Sequence, residues 1–335
     1  MRGNSRACGG SGCSRNVRRN TLPLIKTIES VPKPYGFPQA LGKSVLKPAF
    51  SLKSKVAVPK LQFWNSLIDK TNKKRYNTIM ENQKYTDVNV SVINKWVKNG
   101  WEWGIPISHD AFLEAKSGEC NVLLTPNKFV PKEWFPPLKE KKVLGLASGG
   151  GQQMPIFAAL GADCTVLDYS EEQLANEKYV ADRESYSITI VKADMTETFP
   201  FDNDEFDMIF HAISNCYVED IYHIWNECHR TLKNGGVLIA GMGNGINYLF
   251  DDIEKLPLVV ANKLPYNPLR NHEQYTKINF EFDNIQFSHS LEEQIGGQIK
   301  AGFILTDLYE DYDKVGVLKD YAPQYIATRS VKPMK

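Results

Sequence analysis

Residues 143–170 read VLGLASGGGQQMPIFAALGADCTVLDYS. An apolar run over 143–147 breaks into three glycines, and an apolar-rich segment over 152–160 stops at Gly161. A second apolar run, 164–168, ends on a carboxylate; Ser170 follows, with Glu171 and Glu172 behind it. The pattern predicts a strand, a glycine turn, a helix and a second strand. It then predicts a helix capped by Ser170, with the two acids in the turn where the helix dipole favours them.

Working outward, the alternation continues. Strands are expected over 187–191, 206–211 and 237–241, and a helix over 218–232 closed by the turn Lys233-Asn234-Gly235-Gly236. A helix over 291–300 and strands over 302–309 and 325–330 complete the series. Strands alternating with helices through short loops predict an α/β fold, a doubly wound and mostly parallel seven-stranded sheet. The stretch 244–290, rich in aromatics and asparagine, is too long for an ordinary connection and reads as a lid or cap insertion. Upstream, 88–104 predicts a helix followed by an aromatic loop with Trp101 and Trp103. The expected organisation is a basic, proline-containing, largely disordered extension over 1–83, an N-terminal cap over 84–136 and the α/β domain over 137–335.

Composition narrows the function classes. Hydrophobic residues make up 42% and charged residues 24% of the 335 positions, which excludes collagen-like, coiled-coil and wholly disordered chains. No apolar run approaches the roughly 18–20 residues of a membrane-spanning helix. The net charge of +1 hides a split: residues 1–80 carry sixteen Lys and Arg against two acids, leaving 24 bases and 37 acids beyond. An acidic body does not suit a specific nucleic-acid groove, which needs clustered positive charge; a small molecule is the expected partner. The six cysteines form no CxxC pair, and Cys216, His223, Cys228 and His229 lack zinc-ligand spacing, so no metal is expected. A reduced, cytoplasmic protein is the simplest reading. The acid-free, Arg-rich stretch 1–28 offers mitochondrial or other organellar targeting as the alternative.

In open α/β sheets ligands bind beyond the carboxyl ends of the strands, and three loops there carry chemistry. The turn Ala147-Ser148-Gly149-Gly150-Gly151 lets the backbone approach a ligand closely. Asp168, with Tyr169 beside it, ends the second strand, where a carboxylate accepts both hydroxyl hydrogens of a ribose. Asp194 and Met195, after the third strand, suit an exocyclic amine and a purine face. A dinucleotide site wants G-x-G-x-x-G, but Met154 stands three residues after Gly151 and the loop has no Lys or Arg for phosphates. A ligand with a ribose and an adenine but no phosphate fits better, and S-adenosylmethionine is that ligand.

With those loops, and with DNDEFDMIF at 202–210 and LKNGGVLI at 232–239, residues 141–241 resemble the core of class I S-adenosylmethionine-dependent methyltransferases of the type 11-like kind. The resemblance implies a Rossmann-like methyltransferase fold whose sixth and seventh strands are antiparallel. It carries Gly149 and Gly151 to the methionine end, Asp168 to the ribose, and Asp194 and Met195 to the adenine, with Ala147, Ser148 and Tyr169 counted among the cofactor-binding residues. Two departures stand out: the family usually has an acid where Gly145 is and a glycine where Ala147 is. Gln152 or Gln153 is expected to take over the missing contacts. The loop His211-Ala212-Ile213-Ser214-Asn215-Cys216-Tyr217 ordinarily faces the methyl group, so His211 and Tyr217 are the candidate catalytic groups and Asn215 and Trp103 the candidate acceptor contacts. The loop is not the Asp/Asn-Pro-Pro-Tyr/Phe sequence of amino-methylating DNA enzymes. The reading is a methyltransferase acting on an unidentified, small acceptor; the alternatives are a non-catalytic S-adenosylmethionine-binding module and an NAD-dependent oxidoreductase.

Overall fold

The structure, a computed structural model, describes residues 84–280 and 283–334; the basic extension expected over 1–83 lies outside the described residues. Five parallel strands stand close to where the alternation places them: β1 Lys142–Leu146, β2 Asp163–Asp168, β3 Thr189–Lys192, β4 Phe206–His211 and β5 Leu232–Gly243. The expected turn over 233–236 is absorbed into β5 as an irregularity, because Phe206 pairs with Leu232 and the ladder resumes at Met208 with Val237. With β6 Ile304–Asp311 and β7 Tyr325–Val331 the sheet has seven strands in the order β3-β2-β1-β4-β5-β7-β6. β6 and β7 are antiparallel to each other, and β7 is the reversed strand, set against β5. Burial explains which of the two is inside: Tyr325 to Thr328 are buried, whereas β6 presents Thr306, Asp307 and Glu310 at the edge, where polar residues deter further pairing.

Alternation along each strand fills two cores. Val143, Val166, Met208, Phe210 and Ile239 pack on one face with Phe157 and Trp134. Leu144, Leu146, Leu167, Ile209 and Leu238 pack on the other. Helix α5, Ile221–Thr231, covers that second face through Ile221, Ile224, Trp225 and Cys228. The other helices are α1 Tyr85–Lys98, α2 His109–Lys116, α3 Met154–Ala159, α4 Glu171–Glu184, α6 His272–Thr276 and α7 Gly297–Lys300. Ser170 caps α4 as expected, its hydroxyl accepting from the Gln173 N–H. The stretch 244–290 holds little regular structure and gathers Leu269, Tyr275, Ile285 and Phe287 into a small core against Tyr85 and Val88 of α1. Asn89 joins the two pieces in both directions: its amide donates to Ile285 O, and its Oδ1 accepts from the Ile285 N–H.

The turn after β1 depends on three substitutions of space and charge. A Cβ at Gly145 would lie 2.7 Å from Met154 Sδ, so the buried thioether of α3 occupies the room an acid there would need. Ala147 holds φ at +45°, a left-handed conformation that costs an L-residue about 1–2 kcal/mol. Gly151, at φ +71°, faces α4, because a Cβ would meet Val180 at 2.7 Å and Asn176 O at 2.9 Å. Its N–H donates to Glu177 Oε1 at 2.7 Å, and Glu177 is completely buried. Burial pushes the Glu177 carboxyl up to about 8; the Gly151 N–H opposes the shift and the charge of Asp168 adds to it.

Two outcomes follow from this turn. Ala147→Gly relieves the left-handed strain but adds unfolded-state entropy worth about 0.5–1 kcal/mol, so a thermal scan should show a midpoint raised by about 2 °C. A lowered midpoint would mean the turn is not strained there. Glu177 keeps its proton in the folded chain up to pH about 8, whereas the unfolded chain releases it near 4.5. Stability therefore falls as pH rises between those values. Glu177→Gln keeps an oxygen for the Gly151 N–H and removes the ionisation, so it should flatten that decline and be the more stable form at pH 8. Parallel stability–pH curves for the two proteins would refute the assignment.

Candidate active site

Strand order reverses between β1 and β4, and a cavity opens at the carboxyl ends of the strands there. About 1100 Å³ of space lies between its walls, part of it open to solvent. The β1 turn contributes Ala147, Ser148 and Gly149; the end of β2 contributes Asp168 and Tyr169; the β3 loop contributes Asp194 and Met195. Trp103 and Tyr217 join from the N-terminal segment and the β4 loop. The structure thus brings nine of the expected site residues to one cavity.

Asp168 is fixed at the centre. Its Oδ1 accepts from the Ser170 N–H at 2.8 Å and its Oδ2 from the Gly149 N–H at 3.1 Å. Burial raises its carboxyl to about 6 against those N–H groups, so it is ionised at neutral pH. Gly149 has no substitute, since a Cβ would stand 2.8 Å from Gln173 Cβ and 2.9 Å from Asp168 Oδ2. The Tyr169 hydroxyl donates to Asp87 Oδ1 at 2.6 Å, tying β2 to α1; that bond pushes the phenol up to about 12. Asp194 Oδ1 accepts from the N–H and hydroxyl of Thr196, whereas its buried Oδ2 has no hydrogen-bond partner among the described residues. Trp101 Nε1, Thr86 Oγ1 and Gln173 Oε1, on the same walls, are likewise buried and unpaired. Unmatched buried polar atoms cost about 1–3 kcal/mol each unless a ligand or water meets them.

Three expected site residues are not on these walls, and each has a physical reason. Gly151 turns towards Glu177. His211 is fully buried at the end of β4, with Nδ1 3.0 Å from Leu146 O and Nε2 2.7 Å from Asn215 Oδ1, and burial lowers its pKa. Asn215, 1% exposed, donates through Nδ2 to Gln294 Oε1 at 2.9 Å. His289 Nε2 lies 2.9 Å from Val218 O and 3.1 Å from Asn215 O, bracing the same loop. His211 and Asn215 thus bond to one another within the loop and do not line the cavity. Tyr217 does line the cavity, but burial raises its hydroxyl well above the ordinary value and it stays protonated.

Gln152 and Gln153 are both engaged near the turn. Gln152 Nε2 donates to Glu102 O and Ile105 O, and Gln153 Oε1 accepts from Ser148 Oγ. The sequence reading missed Glu177, although it lies four residues after Gln173 on the buried stripe of α4 with Val180 and Ala181. An acid at helical spacing within an inward face was the available signal. Among the described residues no three of His, Cys, Asp and Glu gather in a group that could hold a metal ion, and no helix is long and apolar enough to cross a membrane.

Residues 144–240 match the family model of a methyltransferase domain. The chain is 44% identical over 245 residues to YbaJ of Bacillus subtilis, an uncharacterized methyltransferase, covering 71% of this chain and 95% of that one. Among solved structures it is similar to an S-adenosylmethionine-dependent methyltransferase from Mesorhizobium loti, at 16% identity and a TM-score of 0.46 over 60% of this chain and 94% of the other. It is also similar to the PH0226 protein of Pyrococcus horikoshii, at 19% identity and a TM-score of 0.42 over 58% and 82% of the two chains. By its identity to the Bacillus protein along nearly that protein's whole length, the chain belongs to the methyltransferase domain family.

Proposed function

We propose that this chain methylates a small molecule with S-adenosylmethionine as donor. The observation that carries the reading is the wall chemistry of the strand-end cavity: two carboxylates, Asp168 and Asp194, and no lysine, arginine or histidine among the described residues that line it. A pyrophosphate would meet those carboxylates without any countercharge, which speaks against NAD. A cationic donor with a ribose and an adenine meets complementary groups. On this reading Asp168 accepts from ribose hydroxyls, the unpaired Asp194 Oδ2 accepts from an exocyclic amine, and Met195 lies over a ring face; their presence on one wall supports it. The unpaired donors Trp101 Nε1 and Thr86 Oγ1 suit a carboxylate. Glu177 holds the glycine turn without an acid at position 145, which supports a working donor site over a retired one.

When bound, the donor supplies an electrophilic methyl group on a positively charged sulfur. The protein's part is then alignment and exclusion of water. The His211–Asn215–Gln294 chain sets the β4 loop, so that Ile213 and Tyr217 form a fixed face towards the donor cavity. Tyr217 keeps its proton and His211 is sequestered, so neither takes a proton from the acceptor. The acceptor atom accordingly brings a lone pair already available at neutral pH.

Calorimetric titration of the full chain with S-adenosylmethionine, S-adenosylhomocysteine and NAD tests the reading. Both adenosyl ligands should bind and NAD should not. Asp168→Ala removes a charged hydrogen-bond acceptor worth about 1.5–3 kcal/mol, so affinity for both adenosyl ligands should fall roughly ten- to a hundredfold. Unchanged affinity would overturn the placement of the ribose; binding of NAD alone would overturn the donor.

A further inference from the structure

The β4 loop has a second side. Ile213 lines the donor cavity on one face and, on the other, a separate cavity with about 680 Å³ between its walls, backed by Cys216. The far walls come from both ends of the 244–290 stretch, from the connection between β6 and β7, and from Tyr325 at the start of β7. Their polar groups are nearly all committed. The Tyr248 hydroxyl donates to Gln286 Oε1 at 2.7 Å, and Tyr325 donates to Asp313 Oδ2 at 3.0 Å. Gln324 is 2% exposed; its Oε1 accepts from the Asp313 N–H at 2.8 Å, which orients the amide and leaves Nε2 buried with no partner. On the same walls Asn247 Oδ1 is buried with no partner. One unmatched donor and one unmatched acceptor thus stand among tyrosine rings. Among the described residues the cavity is lined by two acids, Asp313 and Glu254, and by no lysine or arginine.

We propose that this second cavity holds the methyl acceptor, and that the acceptor is an uncharged, planar molecule with an amide-type edge. The inference rests on the donor reading above. An edge with one N–H and one C=O satisfies Asn247 Oδ1 and Gln324 Nε2 together, relieving two buried polar atoms that the protein itself leaves unmatched. A carboxylate or phosphate would be desolvated beside two acids with no cation to meet it. The aromatic walls favour a flat ring, and among the described residues Ile213 alone lines both cavities, so the acceptor's reacting atom reaches the methyl group where the two adjoin at that residue. In the transfer the acceptor's lone pair forms the new bond to the methyl carbon, the carbon–sulfur electron pair stays on sulfur, and any excess proton on the methylated atom leaves to solvent.

Benzamide and benzoate, equal in shape and different in charge, are the probes. Each is titrated by ligand-observed NMR into the full chain saturated with S-adenosylhomocysteine, which keeps the probes out of the donor cavity. Benzamide should bind at least tenfold tighter than benzoate. Gln324→Leu should weaken benzamide at least fivefold while S-adenosylhomocysteine affinity stays within twofold, and Asn247→Leu gives the same readout should the first variant not fold. Equal binding of the two probes, benzamide affinity unmoved by both variants, or no benzamide binding at millimolar concentration would each overturn the proposal. Failure of the wild-type chain to bind S-adenosylhomocysteine would instead overturn the donor reading, and the two failures are separate.

Discussion

Two carboxyl groups gripping the backbone of one turn hold this site together. Asp168, from the end of β2, takes the Gly149 N–H, and Glu177, from the middle of α4, takes the Gly151 N–H. The turn after β1 is thereby fastened to the next strand and the next helix, and the donor cavity takes its floor from that fastening. The carboxylates differ in what surrounds them. Asp168 accepts two N–H groups beside the cavity and is ionised at neutral pH, whereas Glu177 is sealed beneath the turn and holds its proton. Two like charges under one loop would repel in a low-dielectric interior. Keeping one neutral lets both grip the same three-residue stretch, Gly149 to Gly151.

That arrangement also shows why some of the site was legible in the sequence and some was not. Asp168, Asp194 and the glycines stand at strand ends, and strand ends follow from hydrophobic runs of known period; their positions needed no tertiary information. The packing of α4 on the turn is tertiary, so Glu177 and the direction of Gly151 could not be read from spacing alone. His211 illustrates the opposite limit. A histidine closing β4 looks like a base, but strand residues alternate between faces, and this one points into the layer with Trp225, whose ring centroid lies 6.1 Å away. The same period that located β4 cannot say which face of it the ligand sees. Gly145 is informative in a similar way: it reads as a lost anchor until Met154 is seen filling its space.

The cover of the site is built from two distant stretches that support each other. Neither α1 nor the stretch over 244–290 buries much alone; Tyr85 meets Phe287 with ring centroids 5.3 Å apart, and Asn89 satisfies both backbone groups of Ile285. The tie between Tyr169 and Asp87 fixes α1 to the end of β2 in turn. α1 gives Thr86, Asn89, Val90 and Ile93 to the wall of the donor cavity, so the same ties set that wall.

Charge then selects what such a cover admits. Among the described residues the donor cavity is lined by acids and by no lysine, arginine or histidine, whereas the second cavity, behind Ile213, is lined by two acids and by His289, whose Nε2 lies against Val218 O and Asn215 O. On the proposed reading a positively charged donor is drawn to the first, where Asp194 Oδ2, Trp101 Nε1 and Thr86 Oγ1 stand unpaired. In the second, Asp313 is compensated by Tyr325 and the Lys314 N–H, which leaves neutral amides to make the recognition. A phosphate finds no lysine or arginine among the described residues that line either cavity, so the cost of burying it beside like charge stands at both. Selection by exclusion needs no contact specific to one compound, and it accounts for a site whose walls are so largely amide, hydroxyl and ring.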